Sequence, residues 1–467
     1  MVDPGRAAAD EVLPPTPDIP PLPAETPGKP AAPDADAANL VLPDDTHEEG
    51  PSDPIAKINE LQARLDQLQE LVTNRQPRVI VGGYLDLGFY ATQGNGSGIV
   101  RDQGNVTFPQ YAGKYGWVFL GDILAPAINS RGEVADLGNA TGAVPRYDPI
   151  HSGGAPGFIV NEINLKLTSG LGKSAIATAS FNVTPRTGSN FSLGDVVDAD
   201  IAQLEWMPTR SQKTSIFVGK FDSVLGIEYR ERKSDQRYGI TPSLISRYTT
   251  GTAIGVKVRS KFGPDDMLVL AGAATNGSFT TEQFFFYNET DTNVGKTVSG
   301  RISLHPPIPL DMELGTSGMY GPQDRSPNDI GKMWFWGVDY QLHLRRADLR
   351  AEYLRGASPG DSVNQVYGLA LHGGGYVELC AYLQAHFGLI GRIEYRDAFI
   401  WLGDPNAPGG GGANRAYLTK GWRATGGVHV NFTDRIILKA EYLHNGEYGG
   451  VPQIRDDVFT SSLVLVE

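Results

Sequence analysis

The chain has 467 residues, of which 20% are charged, a single cysteine (Cys380) and a formal charge of −13. One thiol excludes an intramolecular disulfide and a cysteine-based zinc site, and the lack of any run of 18 apolar residues excludes a transmembrane helix. The charge is local. Residues 1–76 hold 15 acids against 5 bases, a net −10, and residues 77–467 carry only −3, so nothing suggests a nucleic-acid surface.

Residues 1–52 form a Pro/Ala/Asp tract; 13 of the chain's 32 prolines fall within residues 1–54. Proline at this density removes backbone donors and fixes φ, so the tract is expected to be a disordered leader. It serves either as a bare spacer or as a contact to peptidoglycan or a periplasmic protein. Met1–Val12 lacks the apolar core of a secretory signal, so an exported chain is expected to be processed, altered or read from another start.

Asp53 is a suitable N-cap, and Pro54 follows at the first helical position. Ile58, Leu61, Leu65, Leu68 and Val72 then recur at spacings of 3, 4, 3 and 4, a heptad seam. Residues 53–76 are therefore expected to be a short coiled coil holding a homotrimer. The other reading of the seam is one amphipathic helix packed on its own domain. Two heptads barely offset helix nucleation, so a trimer needs further contacts.

From Arg78 the hydrophobic period changes to 2. Ile163, Leu165 and Leu167 alternate with Asn164, Lys166 and Thr168; Trp334, Trp336 and Val338 are followed by Asp339, Gln341 and His343 on the other face. A soluble β-sandwich alternates as well, but the links here sort by length. Short turns such as Gly170–Lys173, Gly263–Asp266 and Arg345–Ala347 interleave with long polar links at 93–156, 185–197, 223–249, 276–295, 320–330, 356–374, 401–416 and 445–456. That pattern predicts an all-β fold over residues 77–467, a transmembrane antiparallel β-barrel of about 16 strands. Gly116–Ile123, inside the first long link, is read as loop; the other reading is an additional strand. The chain is placed in a bacterial outer membrane, in contact with its lipid and with its N-terminus periplasmic.

The third long link holds five bases and three acids: Glu228, Arg230, Glu231, Arg232, Lys233, Asp235, Arg237 and Arg247. These residues are expected to form a constriction, with Lys257, Arg259, Arg301, Arg350 and Arg392 on the pore wall. The excess of bases in the link predicts passage of small hydrophilic solutes with a mild preference for anions. The runs Gly219–Glu228 and Pro242–Tyr248 resemble the segment after strand five in porins related to the phosphate-selective family. The resemblance covers about forty residues closely and implies a trimeric diffusion pore whose third loop folds inward. It does not extend to phosphate, since no lysine ladder or arginine cluster matches. The pairing of coiled coil and barrel also resembles envelope-tethering porins, although no wall-binding domain is recognisable. The C-terminus departs from the usual aromatic ending of such barrels, closing on Leu463–Glu467.

No GxSxG or HExxH frame surrounds any of the eight histidines, so no catalytic residue, metal or cofactor is expected and the chain is read as non-enzymatic. The alternative function is a structural anchor in which the pore is incidental.

Overall fold

The computed structural model describes residues 79–92, 156–183, 197–209, 211–280, 294–322, 332–359, 367–384, 386–402, 414–449 and 457–467. The leader, the heptad seam and Gly116–Ile123 lie outside the described residues.

The described residues form sixteen antiparallel strands closed into one barrel, each strand paired with its neighbours in sequence. The first quarter comprises β1 (Val79–Thr92), β2 (Gly157–Leu171), β3 (Ala175–Val183) and β4 (Val197–Trp206). Next come β5 (Thr214–Asp222), β6 (Thr252–Phe262), β7 (Leu268–Thr275) and β8 (Thr297–Leu304). The longer strands follow: β9 (Asp311–Pro322), β10 (Lys332–Leu344), β11 (Ala347–Pro359) and β12 (Tyr367–Gln384). The ring ends with β13 (Phe387–Leu402), β14 (Asn414–Thr433), β15 (Ile436–Glu447) and β16 (Val458–Val466). β16 pairs back onto β1, from Tyr84↔Val466 to Thr92↔Val458, and the Glu467 amide donates to the Gly83 carbonyl at 3.0 Å.

Closure leaves no edge strand, and the period-2 pattern gives the barrel two chemically different faces. Val218, Val256, Ile302, Leu314, Trp336, Val377 and Ile393 are exposed on the outside, whereas Asp86, Glu313, Asp339, Glu352, Arg392, Arg423 and Glu441 are buried on the inside. An apolar exterior around a charged interior inverts a soluble protein and suits a barrel whose surroundings are hydrocarbon. Strand number, the alternation of short and long links and the facing of the strands agree with the sequence reading. The link expected at 356–374 is shorter, because β11 continues to Pro359 and β12 begins at Tyr367.

Candidate functional site: the loop across the lumen

The residues between β5 and β6, 223–251, are mostly buried although they connect two strands at the long-link end. They turn inward at Gly226, which has φ +64°. A β-carbon there would stand 1.8 Å from Glu352 Oε1, so only glycine allows both the left-handed backbone and the close approach. Apolar packing supports this entry: Val224, Leu225, Ile227, Leu244, Ile245 and Tyr248 are all buried, and Tyr248 stacks on Phe335 of β10 with centroids 5.5 Å apart.

Wall carboxylates hold the loop by its backbone amides. Glu352 on β11 accepts from the amides of Ile227 and Glu228 at 3.2 and 3.3 Å. Glu441 on β15 accepts from the Ile240 amide (2.7 Å), the Thr241 amide (3.0 Å) and the Thr241 hydroxyl (2.8 Å). Glu394 on β13 accepts from the Leu244 amide at 2.6 Å. Wall bases bind the loop's carbonyls in turn. Arg301 donates to Gly226 (2.5 Å), Arg392 to Thr241 (2.9 Å), and Arg423 to Pro242 (2.6 Å). Lys439 donates to Ser234 at 2.6 Å, to Gly239 at 3.1 Å and also to Arg237. Backbone that has left the strand ladder must find such partners once buried.

The loop also reaches opposite walls. Arg230 makes a two-pronged ion pair with Glu313 on β9 at 2.7 and 2.9 Å. Only four residues later, the Ser234 hydroxyl donates to Asp86 on β1 at 2.6 Å. Strands β1 and β9 are eight apart in a ring of sixteen, so this segment crosses the lumen. Between them, Arg232 bridges Asp222 (2.6 Å) and Asp200 (2.7 Å), and Lys233 pairs with Asp200 at 2.5 Å. Tyr238 donates to Asp348 on β11 at 2.7 Å, only one residue into that strand from its short turn.

The sequence-predicted residues thus come together, but with unequal access to water. The side chains of Arg232 and Lys233 are 12% and 13% exposed, against 38% for Arg230. Glu228 is turned back on the loop and accepts from the Ser243 amide (2.8 Å) and hydroxyl (2.5 Å). Arg237 donates to the carbonyls of Ile240 (2.7 Å) and Arg232 (2.8 Å), and Arg247 is buried in the short helix Ser246–Thr249. Of the predicted wall bases, Arg301 pairs with Asp339 (2.5 Å) and Glu313 (2.8 Å), Arg350 with Glu378 (2.6 Å) and Glu231, and Arg392 with Glu394 (2.9 Å). These three lie behind the loop. On β6, Lys257 rests over the rings of Phe217 and Phe221 at 4.7 and 4.8 Å, and Arg259 meets Glu205 at 3.2 Å while 44% exposed.

Burial shifts the loop's own titrations. It raises the Asp235 carboxyl, whose Oδ1 is buried without a hydrogen-bond partner among the described residues. It raises Glu231 as well, against the pull of Arg350. Burial lowers Arg237. For Arg230 burial also acts downward, but the Glu313 carboxylate outweighs it and the guanidinium is held above its ordinary value.

The count of five bases against three acids considered the link alone. Wall carboxylates change the balance, since Glu313, Asp200 and Asp222 sit on three of those bases. Glu394, Asp348, Asp200 and Arg423 were not singled out in sequence. The alternation in Arg392–Ile393–Glu394–Tyr395–Arg396 carries the signal for Glu394, but no local pattern reveals Asp348, one residue from a turn.

No protein-family model matches the sequence, and no curated protein matches it. Among solved structures, the chain is similar to the outer membrane channel DcaP of Acinetobacter baumannii, with 13% identity over 84% of this chain and 97% of that one and a TM-score of 0.48. It is similar to OmpF of Salmonella typhi, solved with daunomycin, with 12% identity, 84% and 98% coverage and a TM-score of 0.48. It is also similar to the trimer form of OmpT, an outer membrane protein of Vibrio cholerae, with 10% identity, 84% and 100% coverage and a TM-score of 0.47.

Proposed function

We propose that the chain is an outer-membrane porin, a water-filled channel for small hydrophilic solutes and ions that is constricted by residues 223–251. The observation that carries this reading is the loop's crossing from Glu313 on β9 to Asp86 on β1. A barrel of sixteen strands is wide enough for an aqueous channel, and a segment bonded to both walls reduces it to narrow passages. Charges beside such passages act through a lower effective dielectric than on an outer surface. Arg230 and Arg259, more exposed than Arg232, Lys233, Arg301, Arg350 and Arg392, are the groups a solute would meet. In this reading the N-terminus is periplasmic, residues 53–76 join three copies, and residues 1–52 span toward peptidoglycan or a periplasmic protein.

Single-channel recording in planar bilayers tests the proposal. The wild-type protein should conduct in discrete steps. Neutralising Arg230, Arg232 and Lys233 together leaves Glu313, Asp200 and Asp222 without these partners, so the reversal potential in a salt gradient should move toward cations. An unchanged reversal potential and conductance would remove this loop as the constriction. A wild-type protein without conductance would favour the anchor reading.

A further inference from the structure

The exterior of the barrel carries a second concave feature, apart from the lumen. Across β9–β14 the outer surface is indented by an apolar groove of about 1000 Å³, with Val338, Tyr353, Val377, Ile393, Tyr395 and Trp422 on its sides. Its floor is low because Ala351 and Gly375 offer almost no side chain between them. A β-carbon at Gly375 would stand 2.5 Å from the Glu352 carbonyl, so the strand packing there requires glycine.

The next outward-facing row, beyond the groove toward the long links, is charged. The pairing of β11 with β12 shifts register between Leu354 and Gly356, and that of β12 with β13 between Leu371 and Gly373. These irregularities bring Arg355 and His372 side by side, both exposed on the outer face. Asp397 pairs with Gly373 on one side and Lys420 on the other, continuing the row. His372 Nδ1 lies 3.5 Å and Lys420 Nζ 3.3 Å from the two Asp397 oxygens. Arg355 has no ion pair among the described residues.

The row's height is informative. Arg355 and Asp397 stand eight and ten residues along β11 and β13 from their short-turn ends. Tilted strands convert that to roughly 20–25 Å, close to the apolar band of an outer-membrane barrel. The next row toward the short turns is Val338, Tyr353, Gly375, Tyr395 and Trp422, and aromatic residues of this kind mark the membrane interface. The charges therefore sit where headgroups lie, and the groove descends from them into hydrocarbon.

We propose that this groove holds a phosphate-bearing, acylated lipid, with an acyl chain along Ala351 and Gly375 and the phosphate against Arg355, His372 and Lys420. A guanidinium matches phosphate geometry, and the charges of Arg355 and Lys420 together exceed that of the single Asp397 carboxylate. The occupant is a lipid rather than a free anion because the basic row stands directly above the apolar groove, one outward-facing row from Tyr353, Tyr395 and Trp422.

Native mass spectrometry of the full-length protein in mild detergent tests this with a diacyl phosphatidic acid, its uncharged diacylglycerol counterpart and inorganic phosphate. The phosphatidic acid should remain bound at one site per chain, and neither diacylglycerol nor inorganic phosphate should displace it. R355Q/K420Q should weaken retention by about tenfold or more. A351W, which fills the floor from outside, should do the same with the basic row intact. Both variants lie outside the lumen, so a folded-barrel shift on unboiled gels and an unchanged conductance are expected. Equal retention of diacylglycerol, displacement by inorganic phosphate, or indifference to both variants would overturn the proposal. Efficient disulfide cross-linking of I393C between copies would overturn it too, by showing the groove to be covered by another subunit.

Discussion

Asp235 illustrates what the lumen imposes on a single residue. Its carboxyl lies above its ordinary value because burial disfavours the charge. A group raised in the folded state stabilises fully only below its unfolded value, and that contribution is lost as pH rises through the folded value. Above the folded value, the ionised Asp235 therefore works against the fold. D235N is expected to unfold at a higher temperature than wild type at pH 8, with the two curves converging toward pH 4. Differential scanning calorimetry in detergent checks this, and equal midpoints at both pH values would contradict it. Glu231 shifts in the same direction, but it also pairs with Arg350. Its amide substitution therefore mixes two effects and is the poorer test.

At the scale of the loop, Glu441 is the principal anchor, with three donors from Ile240 and Thr241 on one carboxylate. E441A would leave those buried donors without their acceptor, at a cost of about 2–4 kcal/mol locally. E441Q keeps one carbonyl acceptor and should cost less. Hydrogen exchange should quicken at residues 239–244 in E441A, while the pairing of β1 with β16 stays protected. Uniform exchange across the barrel would mean that the loop and wall form one cooperative unit. This element was only partly legible in the sequence. Its charge density sets 223–249 apart from the other long links, and the alternation of Leu438, Ala440 and Tyr442 with Lys439 and Glu441 puts Glu441 on the polar face. The pairing of Arg232 with Asp200 and of Arg230 with Glu313 joins positions 32 and 83 residues apart, beyond the reach of any local pattern. For that reason the link's own surplus of bases was a poor guide to its net field. The strands themselves were easier to read, because a period of 2 records which face is wet at every step.

For the whole molecule, the proposed trimer makes a prediction about assembly. Ile58, Leu61, Leu65, Leu68 and Val72 recur at heptad spacing over two heptads, a length too short to hold a coiled coil by itself. In the trimeric reading, seam and barrel walls contribute together. Replacing Leu61, Leu65 and Leu68 with Asp would place carboxylates in that seam, each costing several kcal/mol unless paired. The variant should dissociate at lower temperature or detergent concentration by light scattering, with the barrel still folded. An unchanged oligomer would assign the association to the barrel walls alone.

The closing pair of the ring also governs how the protein can form. Tyr84 meets Val466 across nearly the whole chain, so the final seam is among the most non-local contacts in the fold. Pairings of that kind are slow, since the entropy of a long loop is lost before the contact contributes anything. The Ser234 hydroxyl and Ser462 both donate to Asp86, so the crossing loop and the last strand meet on one carboxylate of the first. Sealing the barrel and seating the loop thereby share one acceptor. Before β16 pairs, Asp86 lacks the Ser462 donor and keeps those of Asn161 and Ser234, so the last strand completes the carboxylate on which the loop is tethered.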